Sequence, residues 1–339
     1  LAPGVVDVLT ASLHDPDPDV SAAGLVGLGG LGPRAAPALD QVRTLARGDS
    51  AALRAAALDV LAMASPRDPA LVDDFLRALE DADPAVRRRG LVHLGGLGTV
   101  GRRAIPAAVA RLSDPDDDVR VAAAEFLGDH GPAAVEAVPA LTSLLEGDAP
   151  RLQVAALQTL GKLGRSAQPA FEALAARLLS PEIEVREAAA MAVGELAMDA
   201  EIVRPRLAPA LRDDAPAVRK AALRTVQRFG PASSYFAPDV ILSAVFDADR
   251  ANLDRMIKRM ERRGPDPRTI PELADRLSHE SPFVRLFAVK ILALAGPAAE
   301  SALPTLERLR DDPDPEVRTQ ARSACDQIKP TTAKPADPA

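Results

Sequence analysis

The chain has no tryptophan and a single tyrosine, Tyr235, and aromatic residues make up only 3% of it. That scarcity removes the stacking platforms on which single-stranded nucleic acids are held. One cysteine, Cys325, excludes an internal disulfide, and its place on the apolar side of the last helical stretch predicts a buried thiol. Four histidines, His14, His93, His130 and His279, lie far apart, with no second His or Cys at zinc-ligand spacing. No Gly-rich phosphate loop or Ser-His-Asp set is present. Basic residues are not in excess: the net charge is −7, which disfavours a general nucleic-acid binder. No uninterrupted apolar run approaches the ~18 residues that would cross a bilayer. These absences lead to an expectation of no catalytic residues, no metal and no cofactor. The chain starts at Leu1 rather than methionine. Removal of an upstream segment, such as a signal peptide, would explain that. A soluble protein is expected, cytoplasmic or exported.

What is present is a repeat. From Val119, steps of 33 residues give Val20, Leu53, Val86, Leu152, Val185, Val218, Val284 and Val317, with only the eighth unit out of step. The next residue is Arg54, Arg87, Arg120, Arg186, Arg219, Arg285 or Arg318, with Ser21 and Gln153 as exceptions. Ten such units fill the chain, and a period of this length marks a stacked array. Each unit reads as two helices. Asp17, Asp83, Asp116 and Asp314 stand three before the reference position, where a carboxylate accepts from the free amides of a first turn. Pro18, Pro84, Pro216, Pro282 and Pro315 follow at the first helical position, where a missing N–H costs nothing. Apolar residues recur at helical spacing, as in Val86, Leu91, Leu94 and Leu97. Gly32, Gly98, Gly131, Gly164, Gly230 and Gly296 suit a left-handed C-cap, and Pro33, Pro132, Pro231 and Pro297 prevent continuation. The expected fold class is all-α. It is an α-solenoid, a superhelical stack of about ten two-helix repeats, each burying its apolar stripe against its neighbours. It is expected to run over residues 1–328 as a single domain, followed by a disordered tail at 329–339 that is rich in Pro, Thr and Lys.

The pattern resembles the HEAT repeat family over nearly the whole chain. That family carries a proline in the first helix, an aspartate in the turn within the unit and a Val-Arg pair early in the second helix. The proline matches Pro106, Pro139, Pro205, Pro238, Pro271 and Pro304, and the aspartate matches Asp15, Asp81, Asp114, Asp213 and Asp312. The resemblance implies that aspartates and arginines hydrogen-bond along the stack as a ladder. It thus implies a structural role for Asp81, Arg87, Asp114, Arg120, Asp213, Arg219, Asp312 and Arg318. It also implies that second helices line the concave side, and that such proteins are mostly scaffolds and binding surfaces, with a few enzymes among them.

Several units depart from the pattern. Gly24, Gly27, Gly29 and Gly30 fall in one helix, where each glycine costs about 1 kcal/mol against alanine. Either close helix packing or a site needing backbone approach would account for them. In unit four Glu125 and Asp129 share a helix face near His130, which suggests metal but lacks a second histidine or cysteine. Unit five has Gly147 and Gln153 at the ladder positions, so the ladder should be interrupted there. In unit eight a strict period would bury Arg259 and Arg262. Moving the reference to Asn252 puts Asp247 at the turn, Asp249 at the cap, Leu253 in the ladder arginine's place, and Ile257 and Met260 in the core. One extra residue before this helix should change the local twist.

The positions six and ten past the reference share one face of every second helix. They are apolar or small early (Val26/Gly30, Val92/Gly96), acidic at Glu125/Asp129, and basic at Arg224/Arg228, Lys258/Arg262 and Lys290. The basic stretch reads either as a solvated face or as a binding patch. The function expected is a non-catalytic protein-interaction scaffold holding an acidic or extended protein partner on the concave face. Arg224, Arg228, Arg255, Lys258, Arg259, Arg262 and Lys290 are the candidate partner-binding residues. The alternative is a HEAT-like enzyme such as a bilin lyase-type protein, whose signature is mostly the repeat itself. HEAT-like di-metal hydroxylases need several His-Glu pairs, and this chain has only His279-Glu280. HEAT-like DNA glycosylases present a basic cleft with tryptophan, which is absent.

Overall fold

The computed structural model describes residues 4–66, 68–247 and 250–329, without the side chains of 246, 247 and 250–252. The roles expected for Asp247, Asp249 and Asn252, and the tail from residue 330, fall outside the described residues. The chain divides into two compact units, Leu1–Leu174 and Ala175–Ala339. The described residues contain α-helices and 3-10 helices and no strand.

In the first unit, first and second helices alternate as α1 (Val5–Ser12), α2 (Pro18–Leu31), α3 (Leu39–Leu45), α4 (Ala51–Ala64), α5 (Leu71–Ala78), α6 (Pro84–Gly96), α7 (Ile105–Arg111), α8 (Asp117–Asp129), α9 (Val138–Glu146) and α10 (Pro150–Leu163). After α11 (Phe171–Ala176) the second unit has α12 (Ile183–Glu195), α13 (Ala200–Leu207), α14 (Pro216–Arg228), α15 (Ala237–Asp247), α16 (Arg250–Met260), α17 (Ile270–Arg276), α18 (Pro282–Ala295), α19 (Leu303–Arg308) and α20 (Pro315–Ile328). Even numbers are the second helices.

Local chemistry sets these boundaries. Asp17, Asp83 and Asp314 accept from amides two residues on, and Asp116 from the amide of Val119, at 2.8 to 3.1 Å. Caps of this kind are worth about 1 kcal/mol each. The glycines after the second helices do more than stop them. Gly164 has φ 60° and ψ −132°, outside the left-handed helical basin and in a region open essentially to glycine. The chain does not break there but winds through a 3-10 segment, Gly164–Ala170, into the next first helix.

Second helices pack side by side along each unit, α2 through α10 in the first, and α12 on α14 and α18 on α20 in the second. The position nine past the reference residue faces the next second helix. It is Gly29 against Met63, Gly95 against Phe126, Gly128 against Thr159 and Gly194 against Thr225. A Cβ on Gly194 would stand 2.7 Å from Thr225 Oγ1, and one on Gly128 3.2 Å from Thr159 Oγ1. Those threonines use the space to donate to the carbonyls of Ala190 and Ala124, at 2.6 and 2.8 Å. The glycines of α2 serve two ends. Gly24 and Gly27 lie tight against Ser12 and Leu9 of α1, whereas Gly30 faces open space.

Pro282–Asp311 is long and apolar enough, by length and composition, to cross a membrane, which corrects the expectation that no stretch is. In the fold it is not one helix. It turns at Gly296, at φ 55°, between α18 and a 3-10 segment, and Val284, Phe287, Ile291 and Leu292 are buried in the core.

Candidate functional site

Arginine and aspartate tie regular repeats together. Arg87 Nε and Nη2 donate to Asp114 Oδ2 and Oδ1 at 2.8 and 2.7 Å, and its Nη1 donates to the carbonyls of Asp81 and Ala82. Asp114 is 3% exposed. Burial pushes its pKa up, but the Arg87 fork, the Asp116 amide and Arg111 hold it below the ordinary carboxylate value. Arg54 makes the same fork on Asp81, Arg186 on Asp213, and Arg285 on Asp312. Arg54, Arg186 and Arg285 were not among the residues singled out for the ladder, although all three occupy the repeating arginine position. Of those that were, Arg120 turns back to its own repeat, onto the Asp114 carbonyl and Asp117, because Gly147 offers no carboxylate. Gln153 donates to the carbonyls of Leu145 and Gly147 within its own repeat. Arg219 reaches the carbonyls of Asp213 and Asp214, and Arg318 those of Asp312 and Pro313.

The joint between repeats 7 and 8 is built differently. In α14 the inter-helix position is Gln227 rather than glycine or alanine, and with the one-residue offset Arg259 stands opposite it. Two long polar side chains replace a glycine and a threonine. Among the described residues α14 and α16 meet at few points. Leu253, Met256 and Met260 are buried and Arg259 and Arg262 exposed, which fits the offset register, while Ile257 is only half-buried. A small hollow of about 50 Å³ opens between the two helices, lined by Leu223, Val226, Val240 and Met256 with Gln227, Arg255 and Arg259. A larger one of about 460 Å³ shares Ser233, Met256 and Arg259 with it and runs along Lys258, Arg262 and Arg263.

On the first-helix side the same repeats are drawn together. Arg204 of α13 donates to Asp239 of α15 at 2.7 Å and also to Glu272 of α17, two repeats on. Burial alone would lower the Arg204 pKa, and the bonds to Glu272 and Asp239 outweigh it and raise it. Arg268 pairs with Asp266 at 2.7 Å and reaches back to Glu201 of α13. Both guanidiniums lie over the Tyr235 ring, each 4.6 Å from its centroid. This clasp spans three repeats.

The seven candidate cations are not equivalent. Arg224, Lys258, Arg259 and Arg262 are exposed and form no ion pair among the described residues, and the same holds for Arg263, which adjoins them. Arg255 lines the small hollow. Arg228 pairs with Glu195 of α12. Lys290 is held 3.4 Å from Glu316 and lies over the Phe287 ring, and it lines neither hollow. Composition pointed to the charges, but the hollow and the clasp were missed. The signal for the hollow was the change from Gly or Ala to Gln at position 227.

Elsewhere the singled-out groups are tied into packing. His130 turns Nδ1 to the Phe126 carbonyl at 2.8 Å and Nε2 to that of Gly98 at 3.2 Å, and Asp129 pairs with Lys162. His279 Nδ1 accepts from the Ser281 amide. No three His, Cys, Asp or Glu converge for a metal among the described residues. Cys325 is buried, and desolvation raises its thiol pKa.

No curated protein matches the sequence. Among solved structures, Kap95p bound to RanGDP is similar, with a TM-score of 0.57 at 15% identity. Yeast importin-beta (Kap95p) is similar with a TM-score of 0.56 at 14% identity. Each likeness covers 96% of this chain and 52% of the other, so the chain spans about half the length of the structures it resembles, and at this identity the likeness carries the fold. The family profile described as HEAT repeats matches residues 105–194 and 238–326, a little over half of the chain. Together with the ten-fold period and the paired helices, that match makes this chain a member of the HEAT-repeat family.

Proposed function

We propose that this HEAT-repeat chain is a non-catalytic scaffold that holds an acidic segment of a partner protein across the second-helix face of repeats 7 and 8. One observation carries the reading: the exposed cluster of Arg224, Lys258, Arg259, Arg262 and Arg263, which forms no ion pair among the described residues and borders an open joint. In a chain of net charge −7, a cluster of five cations that outnumbers the neighbouring Asp254 and Glu261 is a local field that attracts carboxylate or phosphate. Arginine suits both through its planar fork. Kap95p, a protein of the same fold, binds RanGDP, and that supports the class of this function but not its residues.

Each exposed charge pair is worth about 0.2–1 kcal/mol, so five give a weak, salt-sensitive contact. The test uses a fluorescein-labelled oligoglutamate peptide and its anisotropy at about 50 and about 300 mM salt. Binding is expected at low salt and to weaken at high salt. Arg259→Glu with Arg262→Glu should abolish it. Binding that survives both the salt and the charge reversal would remove this reading.

A further inference from the structure

We propose that the crevice between α14 and α16 takes one aliphatic side chain of the acidic segment, as an anchor flanked by carboxylates. The inference rests on the reading just given and adds the chemistry of the partner.

The crevice has a structural cause. At the joints of Gly29, Gly95, Gly128 and Gly194, glycine nine past the reference residue lets the next second helix close in, as Gly194 does for Thr225. Gln227 and Arg259 hold that contact open at one joint. The clasp of Arg204, Tyr235 and Arg268 draws the first helices of repeats 7 and 9 together on the other side. A wedge results, and what it uncovers is mainly apolar: Val226, Val240 and Met256 are at most 7% exposed and Leu223 is half-buried, beside Ser233, whose hydroxyl already donates to the Gly230 carbonyl. A hollow of about 50 Å³ has room for the end of one aliphatic side chain and is too small for an aromatic ring. Its mouth is charged. Arg255 and Arg259 line it directly, and Lys258, Arg262 and Arg263 continue along the adjoining hollow. Charge complementarity therefore places carboxylates beside the anchor, and the apolar floor makes the anchor aliphatic.

The probes are two fluorescein-labelled peptides, one with leucine between flanking glutamates and one with serine in its place. Wild-type protein should bind the leucine peptide at least about tenfold more tightly, the effect of burying one such side chain. Gln227→Gly with Arg259→Thr restores the small pair of the regular joints. It should erase the leucine preference and leave the serine peptide bound as it is by Arg259→Thr alone. Leu223→Asn, at a half-buried wall position, is a second variant expected to shrink the preference, and Tyr235 emission with circular dichroism checks that each variant folds. Equal, salt-sensitive binding of the two peptides overturns the anchor and leaves the scaffold reading standing. A leucine preference that survives the double variant also overturns it. If neither peptide binds wild-type protein, both readings fall.

Discussion

At the joint between α6 and α8, Gly95 faces Phe126 and Arg87 forks onto Asp114 of the next repeat. At the joint between α14 and α16, Gln227 and Arg259 occupy the facing places, and the fully buried Leu253 stands where repeat 8 would carry its ladder arginine. The first arrangement couples each repeat to its neighbour, as expected of a stacked array. In the second, charged groups reach two repeats away, from Arg204 to Glu272 and from Arg268 to Glu201. The same two-helix unit thus gives a closed joint or an open one, depending on one small position and on where the arginines find their carboxylates.

The closed joint is broken most severely at its buried carboxylate. Asp114→Asn leaves the Arg87 guanidinium, whose side chain is 8% exposed, facing a neutral amide. Loss of one partner of a buried pair costs about 3–5 kcal/mol, which a urea titration followed by far-UV circular dichroism should register. The same carboxylates set the acid limit. Asp81, Asp114, Asp213 and Asp312 are each held below the ordinary value of 3.8. For Asp81 and Asp312 the arginine hydrogen bond is the largest cause, while for Asp114 and Asp213 burial opposes it and is overcome. A depressed carboxylate contributes its stability fully above the unfolded-state value and loses it as pH falls through the folded one. Thermal stability should therefore hold from neutral pH to about 5 and decline below about 4, and Asp114→Asn should show a shallower decline.

A regular joint can also be converted into an open one. Gly194→Gln puts at the α12–α14 contact the residue that Gln227 supplies at the next joint. A Cβ there already meets Thr225 at 2.7 Å, so the helices must separate. Overpacking of this kind costs about 1–3 kcal/mol. Amide exchange should speed up in α12 and α14 and stay unchanged in α18 and α20. Unchanged exchange in α12 and α14 would mean that position nine does not set the spacing.

Much of this fold was legible in the sequence because the ladder and the caps are local and periodic. Asp17, Asp83, Asp116 and Asp314 cap helices at the places the period assigns them, and Pro18, Pro84, Pro216, Pro282 and Pro315 each begin one. The offset in repeat 8 could be read because burying Arg259 and Arg262 would leave two charges without water. Gly32 and Gly164 stand where a left-handed cap is expected, but they take ψ values near −130° and lead into 3-10 turns. The candidate site was legible as charge and not as shape. Nothing in the spacing of Arg204, Tyr235 and Arg268 says that they meet, since they belong to three repeats that come together only in the folded second unit.

The clasp should be worth less than the buried rung. Tyr235→Ala removes the surface over which two guanidiniums lie, at about 0.5–1 kcal/mol for the contact with Arg204, Arg268 being exposed. Tyr235→Phe keeps the ring face and should leave stability within error of wild type. The contrast between the two variants in urea midpoint isolates the ring. Equal loss in both would assign the effect to the hydroxyl instead.

The smallest expected change is a gain. Gly164 and Gly230 take positive φ after their second helices, and the corresponding residue after α12 is Ala197, at φ 52°. A side chain in that region costs about 1–2 kcal/mol, because its Cβ crowds the neighbouring carbonyl oxygen. Replacement by glycine relieves the crowding but adds about 0.4–1 kcal/mol of unfolded-chain entropy, so Ala197→Gly should stabilise by roughly 0.5–1 kcal/mol. The urea midpoint should rise with the slope unchanged, since the surface exposed on unfolding is the same. Ala197 adjoins Glu195 and Arg228 in a hollow beside the α12–α14 contact. A fall in stability would therefore mean that the alanine methyl packs usefully there and that the positive φ is held without strain, making this junction, like the α14–α16 joint, a place where the repeat departs from its rule at no net loss.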